Sequence, residues 1–364
     1  MFRNGMFPFM NAGYSRAERR VGLRGLPMFL LLSALVAPGA GFPGAWAGGT
    51  EVIASRGAAT RALEGKEVAR RCTTKTPPVE DRLGPVRNDS ASEWCYAFLT
   101  ADLLSWQLGQ VVSAADVGII YNDESGTRRP GQAHSAMDRG GRMTEAFDFM
   151  VRKGMCLEAD MPSQDFLVSR GDGTGESYGL RGLLAEIEGA TRRRDPARGG
   201  VPCSDWETAR AMFPWLGYRD FADILARSSE RDLINRLQER NCGGRRVFFP
   251  KPVGLLTVRG PLGSVYEPAV QDRLFERIDA ELEAGGIVGV GLSAKFYSQG
   301  YSSRDFHAVS VVGRRYNPET RQCEYKVRDT SGEGCAGFQP CENGNLWASE
   351  SSLRGRLYEI YLLR

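Results

Sequence analysis

The patterning of the chain changes period near residue 286, and that change limits the fold more than any single motif does. Before it, apolar residues recur at helical spacing. Ala97, Phe98, Ala101, Leu104 and Leu108 share one stripe, which predicts an amphipathic helix capped by Ser92 and ended by Gly109. Ser113-Ala-Ala-Asp116 has the form of a capping box for a second, short helix. A third helix over about 143–153 would bury Ala146, Phe147, Met150 and Val151 and stop at Gly154. From Gly286 onward, alternating and continuous apolar runs predict strands over 286–292, 306–316, 323–329 and 357–363. Helices first and strands last predict an α+β architecture of two lobes, one helical and one of antiparallel strands.

The first 47 residues stand apart from this pattern. Arg16, Arg19, Arg20 and Arg24 precede the apolar run Met28-Phe-Leu-Leu-Leu-Ser-Ala-Leu-Val-Ala37, and small residues lead to Ala45-Trp-Ala47. A basic region, a short apolar region and an A-x-A site describe a secretory signal peptide cleaved after about Ala47. The apolar run is about half the roughly 20 residues that a bilayer span needs, so no stable membrane span is expected in the mature chain. The formal net charge of +3 is concentrated here. Arg3, Arg16, Arg19, Arg20 and Arg24 face only Glu18, so the remainder is close to neutral and gives no footing for nucleic-acid binding.

Residues 48–82, small, charged and containing Thr76-Pro-Pro78, read as a flexible lead-in to a domain over 83–364. Within that domain, 163–265 reads as an insertion. A polar, Gly-rich segment (Arg170-Gly-Asp-Gly-Thr-Gly-Glu176) precedes helical stretches near 183–193 and 221–239, and the main fold is rejoined at the helical pattern over 271–283. Export would place the eight cysteines in an oxidising compartment, periplasmic or extracellular. Cys335 with Cys341 and Cys203 with Cys242 are bridges suggested by position, although spacing does not fix connectivity. No CxxC occurs, and His134 and His307 form no ligand pair at metal spacing, so neither a metal nor another cofactor is expected.

Three residues at distant positions carry the chemistry. Cys95 falls in the first turn of the first predicted helix, where unpaired N–H groups and the helix dipole favour an anion. His307 opens a late strand. Asn317-Pro-Glu-Thr320 reads as the turn to the next strand, and a turn centred on Pro318 would set Asp329 directly opposite His307. A slip of one residue would turn Asp329 to the other face. Thiol, imidazole and carboxylate are a nucleophile, a base and a group that orients the base.

The segment Val86-Arg-Asn-Asp-Ser-Ala-Ser-Glu-Trp-Cys-Tyr-Ala-Phe98 resembles the nucleophile region of papain-like cysteine peptidases, V-x-N-Q-x-x-x-x-x-C-W-A-F. Gly140-Gly141 resembles the family's paired glycines, which bind a substrate backbone; a plain turn before the third helix is the other reading. Phe306-His-Ala-Val resembles D-H-A-V, and Val327-Arg-Asp-Thr-Ser-Gly332 stands in the place of K-N-S-W-G. The resemblance covers about 83–160 and 270–364. It implies the papain-like two-lobe fold, peptide or protein substrates, and a triad of Cys95, His307 and Asp329. The side-chain-selecting pocket would lie around Gly141 and 286–293.

The chain departs from the pattern at chemical positions. Asp89 replaces the glutamine that helps bind the oxyanion, and an ionised carboxylate cannot donate there. Losing one such donor costs on the order of a hundredfold in rate. Asn88 could substitute after a local shift, or burial could protonate Asp89. Ser331 replaces the sheltering tryptophan. The sequence therefore reads as an exported cysteine peptidase working through a thioester. A catalytically inactive papain-like peptide-binding protein and a transglutaminase-like or amidase-like acyl-transfer enzyme are the alternatives.

Overall fold

The computed structural model describes residues 50–52, 72, 79–87, 94–124, 140–163, 166–169, 175–178, 210, 217–219, 221–222, 230–260, 267–296, 306–330 and 341–364. The segment expected to be a signal peptide, Asn88, Asp89, Ser92, His134, Cys203, Ser331, Cys335 and the helix expected near 183–193 lie outside them. In chain order the described elements are β1 (Thr50–Val52), α1 (Glu80–Leu83), α2 (Cys95–Leu108), α3 (Ala114–Glu124), α4 (Met143–Lys153), β2 (Phe166–Ser169), β3 (Gly175–Tyr178), α5 (Glu230–Cys242), β4 (Leu255–Arg259), α6 (Pro268–Glu283), β5 (Val288–Ser293), β6 (Phe306–Asn317), β7 (Gln322–Arg328), β8 (Cys341–Glu342), β9 (Asn345–Ser349), α7 (Glu350–Leu353) and β10 (Leu357–Leu363). The fold is α+β, with helices α2 to α4 gathered on one side of a largely antiparallel sheet.

That sheet has eight described strands in the order β1-β4-β10-β5-β6-β7-β9-β8, and only the β1–β4 pairing is parallel. Because side chains alternate across a strand, the sheet divides the molecule into two hydrophobic cores. On one side Val312, Tyr361 and Leu363 join Leu99, Leu103, Leu104, Phe147 and other residues of the helical lobe. On the other, Val290, Val309, Val311, Tyr325, Val327 and Ile360 pack against Val270, Leu274, Phe275 and Ile278 of α6.

Helix α2 is not the half-exposed helix that its stripe predicts. Every residue from Tyr96 to Trp106 is buried, including Thr100, Asp102 and Ser105. It lies between the sheet and α3 and α4, so it has no solvent face. Two of its polar side chains are satisfied locally: Thr100 and Ser105 donate to the carbonyls of Tyr96 and Ala101. Gly109 ends it in the left-handed region at φ 73°, where glycine carries no Cβ penalty. The capping box ahead of α3 forms by half. Ser113 Oγ accepts from the Asp116 N–H at 3.0 Å, while the Asp116 carboxylate instead accepts from Gln238, Arg246 and the Cys156 N–H.

Three further expectations are corrected. Part of the lead-in is fixed: β1 pairs with β4, Cys72 is bonded to Cys323 of β7, and Val79 is buried. The insertion ends earlier than 265, because β4 is a strand of the main sheet. Helix α5, expected over 221–239, is tied to α3 and to the segment after α4 by Asn235–Asp123, Gln238–Asp116 and the Cys156–Cys242 disulfide. That disulfide replaces the expected Cys203–Cys242 pair. Cys341 is also disulfide-bonded, with its partner outside the described residues.

Candidate active site

Cys95 is the first residue of α2, and Trp94 precedes it as N-cap. The Trp94 carbonyl accepts from the N–H groups of Ala97 and Phe98, so the helix is wound tightly from its first residue. Trp94 is fully buried, and Gly118 of α3 makes room for it: a Cβ at Gly118 would stand 2.4 Å from the indole ring. This packing fixes the start of α2 and hence the height of the Cys95 sulfur. Among the described cysteines Cys95 is the free one, and it is partly exposed.

His307 and Asp329 reach the same place from the sheet. The hairpin turn occupies 318–321, and the Asn317 side chain accepts from the N–H groups of Glu319 and Thr320. Next to the turn, Asn317 opposes Gln322 and Tyr316 opposes Cys323. In that register Asp329 would face Ser310, on the wrong side of the sheet for His307. A β-bulge between Val311 and Gly313 removes the mismatch, and beyond it Val311 opposes Val327 and Ser310 opposes Arg328. Continued by one residue, the ladder sets Asp329 across from Val309. His307 and Asp329 are therefore diagonal neighbours on one face rather than the directly opposed pair expected from a turn at Pro318.

The His307 Nε2 to Asp329 Oδ1 distance is 3.1 Å, with Asp329 fully buried and His307 largely so. Burial works to lower the pKa of His307. Hydrogen bonding to Asp329 and to Cys95, together with the charges of both, overcomes this and raises it to about 10. With Nε2 engaged by the carboxylate, Nδ1 is the nitrogen left for the sulfur. The second carboxylate oxygen, Oδ2 of Asp329, is buried and has no hydrogen-bond partner among the described residues.

Gly141 lies beside the aromatic pair formed by Tyr96 and Tyr121, whose rings are 4.7 Å apart. A Cβ at Gly141 would come within 2.6 Å of Tyr121 and 2.7 Å of Tyr96, so the backbone there can approach only as glycine. Gly140 is exposed. The Arg142 N–H donates to the Tyr121 hydroxyl and anchors the turn into α4. Gly141 is thus held close to the residue that follows Cys95.

A charged cluster that the sequence did not single out lies behind these residues. Asp102, two turns after Cys95 on α2, accepts from Arg87 through Oδ1 at 3.0 Å. Its Oδ2 accepts from Ser310 Oγ and from Arg328 Nε, each at 3.0 Å. Arg87 also pairs with Glu158 at 2.9 Å, and Arg328 donates to the carbonyls of Leu83 and Pro85. A small cavity lined in part by Arg87, Asp102, Arg328 and Asp329 joins the cluster to the site. Sequence gave no signal for this, because Asp102 sits inside an apolar helical run and its partners are remote.

The grouping of Asp116, Cys156 and Cys242 has the donor types of a metal site but not the chemistry. Both sulfurs are spent in a disulfide, and both Asp116 oxygens accept from Arg246 at 3.0 Å.

No family model matches the chain, and no curated protein matches it. Among the solved structures that it resembles are a procathepsin L and a cysteine protease. The digestive procathepsin L 3 of Tenebrio molitor is 15% identical at a TM-score of 0.40, over 79% of this chain and 69% of that one. Xylellain, a cysteine protease from Xylella fastidiosa, is 12% identical at 0.40, over 87% and 96%. SERA5E from Plasmodium falciparum is 11% identical at 0.39, over 79% and 91%.

Proposed function

We propose that the protein is an exported cysteine peptidase in which Cys95, His307 and Asp329 act together. The observation that carries this reading is the single imidazole shared by a carboxylate at 3.1 Å and the only described free thiol. Holding His307 protonated beside the sulfur favours an imidazolium–thiolate pair, and the thiolate is the form that attacks a carbonyl.

In the first half-reaction the Cys95 sulfur bonds to the scissile carbonyl carbon, and the carbonyl π pair moves to oxygen. The Cys95 N–H, at the first position of α2, has no acceptor within its own helix and is suited to stabilise that oxyanion. His307 then gives its proton to the departing amine as the C–N bond breaks, leaving a thioester. Water attacks the thioester in the second half-reaction, with His307 taking its proton, and the acid product leaves as the thiol is restored. Asp329 keeps the ring oriented throughout and supports its positive charge whenever it is protonated. Asn88 or Asp89 would complete the oxyanion site, and Gly140 and Gly141 would bind substrate backbone.

Export accords with the Cys72–Cys323 and Cys156–Cys242 disulfides, which persist in oxidising compartments. No helix among the described residues is long and apolar enough to cross a membrane. The deciding test is labelling of the mature protein with a thiol-directed epoxysuccinyl inhibitor, alongside hydrolysis of a mixed peptide pool. Labelling of Cys95 that is lost in His307→Ala, together with hydrolysis, is expected. Equal labelling in His307→Ala would mean an ordinary thiol and would end the proposal. Labelling without hydrolysis would favour a peptide-binding protein, and amine transfer exceeding hydrolysis an acyl-transfer enzyme.

A further inference from the structure

Cys95 is flanked by two aromatic residues, and both rest on one face of helix α3. Trp94, before it, covers Gly118, and Tyr96, after it, packs on Tyr121 with the rings 4.7 Å apart. Gly118 and Tyr121 are spaced i, i+3 and so lie side by side on the helix surface. Tyr121 is only 4% exposed, and Phe149 of α4 packs on its other side with ring centroids 6.1 Å apart. Its hydroxyl is engaged as donor and as acceptor. It donates to Glu145 Oε2 at 3.3 Å and accepts from the Arg142 N–H at 3.0 Å. Arg142 Nη1 donates to Glu145 Oε1 at 3.1 Å and completes the network at the start of α4.

The bond from the Arg142 N–H sets the direction of a neighbouring group. That N–H and the Gly141 C=O belong to one planar peptide unit, and in a trans peptide they point in opposite directions. With the N–H aimed at Tyr121, the Gly141 carbonyl is aimed away from α3. Gly141 has no room to shift inward, since a Cβ there would already stand 2.6 Å from Tyr121 and 2.7 Å from Tyr96. Among the described residues the Gly141 carbonyl accepts no hydrogen bond; the Ala146 N–H goes to the carbonyl of Arg142 instead. Gly141 is half-buried between exposed Gly140 and exposed Arg142, so its acceptor stands at an accessible surface one residue's contact from Cys95. An acceptor in such a place is satisfied by a donor from outside the fold, either water or a ligand.

We infer that Tyr121 is a positioning residue: by fixing the Gly141–Arg142 peptide, it aims the Gly141 carbonyl at a backbone N–H of the bound peptide. This rests on the peptide-cleaving reading above and deepens it. A substrate requirement follows. The position that meets Gly141 needs a secondary amide, so a proline or an N-methylated residue is disfavoured there. A tertiary amide would displace water from the carbonyl and return no hydrogen bond.

The test uses mature Cys95→Ala protein and a set of peptides, each N-methylated at a different backbone nitrogen. Tyr121→Phe is made in the same background; it keeps the ring and removes the hydroxyl. Glu145→Ala, which strips the hydroxyl of its acceptor without touching a buried ring, is the second variant. Binding is read by fluorescence anisotropy, and the same peptides are offered for hydrolysis to proteins with Cys95 intact. At one position N-methylation is expected to weaken binding about fivefold or more, as for one hydrogen bond. Tyr121→Phe should largely abolish that penalty and Glu145→Ala should shrink it, while penalties at other positions stay. A general loosening would instead weaken all peptides alike and keep every penalty. In hydrolysis Tyr121→Phe should raise KM for the unmethylated peptide with kcat nearly unchanged, as for binding shared by ground and transition states. No peptide binding, no position sensitive to N-methylation, or penalties that neither variant reduces would overturn the role of Tyr121. Tyr121-dependent binding without hydrolysis would sink only the peptidase reading, and hydrolysis with every penalty kept only the role of Tyr121.

Discussion

Strands β6 and β7 carry two polar clusters a few residues apart, and they are built on opposite plans. At Asp102 every described oxygen is engaged: Arg87 on Oδ1, Ser310 and Arg328 on Oδ2. At Asp329, the residue after Arg328, one oxygen holds His307 and the other is buried with no hydrogen-bond partner among the described residues. The saturated cluster joins α2 to both strands and fixes how they meet. The sparse one leaves an imidazole whose remaining nitrogen can serve the sulfur. A buried network that is fully satisfied rigidifies, and an undersatisfied one is where chemistry is done at the expense of stability.

The largest effect should separate the two clusters by activity. Cys95→Ala or His307→Ala is expected to lower peptide hydrolysis by about a thousandfold or more, since members of such a unit fail together. Thermal unfolding of Cys95→Ala should stay near that of the parent, because Cys95 is partly exposed and the buried cluster is intact. A large loss of folding in that variant would break the contrast.

The next effect is on stability. Asp102→Ala leaves Arg87 and Arg328 buried without their shared carboxylate, and removing one partner of a buried pair costs about 3–5 kcal/mol. Denaturant unfolding of the inhibited protein measures this, and a change below about 1 kcal/mol, the range of exposed pairs, would show the cluster to be a bystander.

A smaller effect is read through pH. The raised pKa of His307 means that the folded state holds a proton the unfolded chain loses near 6.5. Its contribution to stability is complete below pH 6.5 and is lost as pH rises toward about 10. The stability gap between the parent and Asp329→Asn should accordingly be widest in acid and narrow through that window. A gap that widens with pH would contradict the sign.

The sequence made the strands legible where the alternation is clean: β10 coincides with the expected 357–363, and β6 and β7 differ by one residue at their ends. Helix α4 matches 143–153, because its buried face and its stop at Gly154 are both local signals. Other features had no local signature. The Val311–Gly313 bulge compensates a turn register that depends on pairing, not on composition. Strands β1, β8 and β9 are too short for periodicity to register. The all-round burial of α2 follows from what surrounds it.

The account stands on one imidazole being held by two partners at once. The chain has only two histidines, so NMR titration of labelled imidazole nitrogens can follow His307 without ambiguity, with His307→Gln assigning the signal. The ring is expected to stay protonated well past neutrality, with a midpoint near pH 10, and the midpoint should fall in both Cys95→Ala and Asp329→Asn. A midpoint near 6.5 that neither substitution moves would contradict the shared imidazole and, with it, the proposed chemistry.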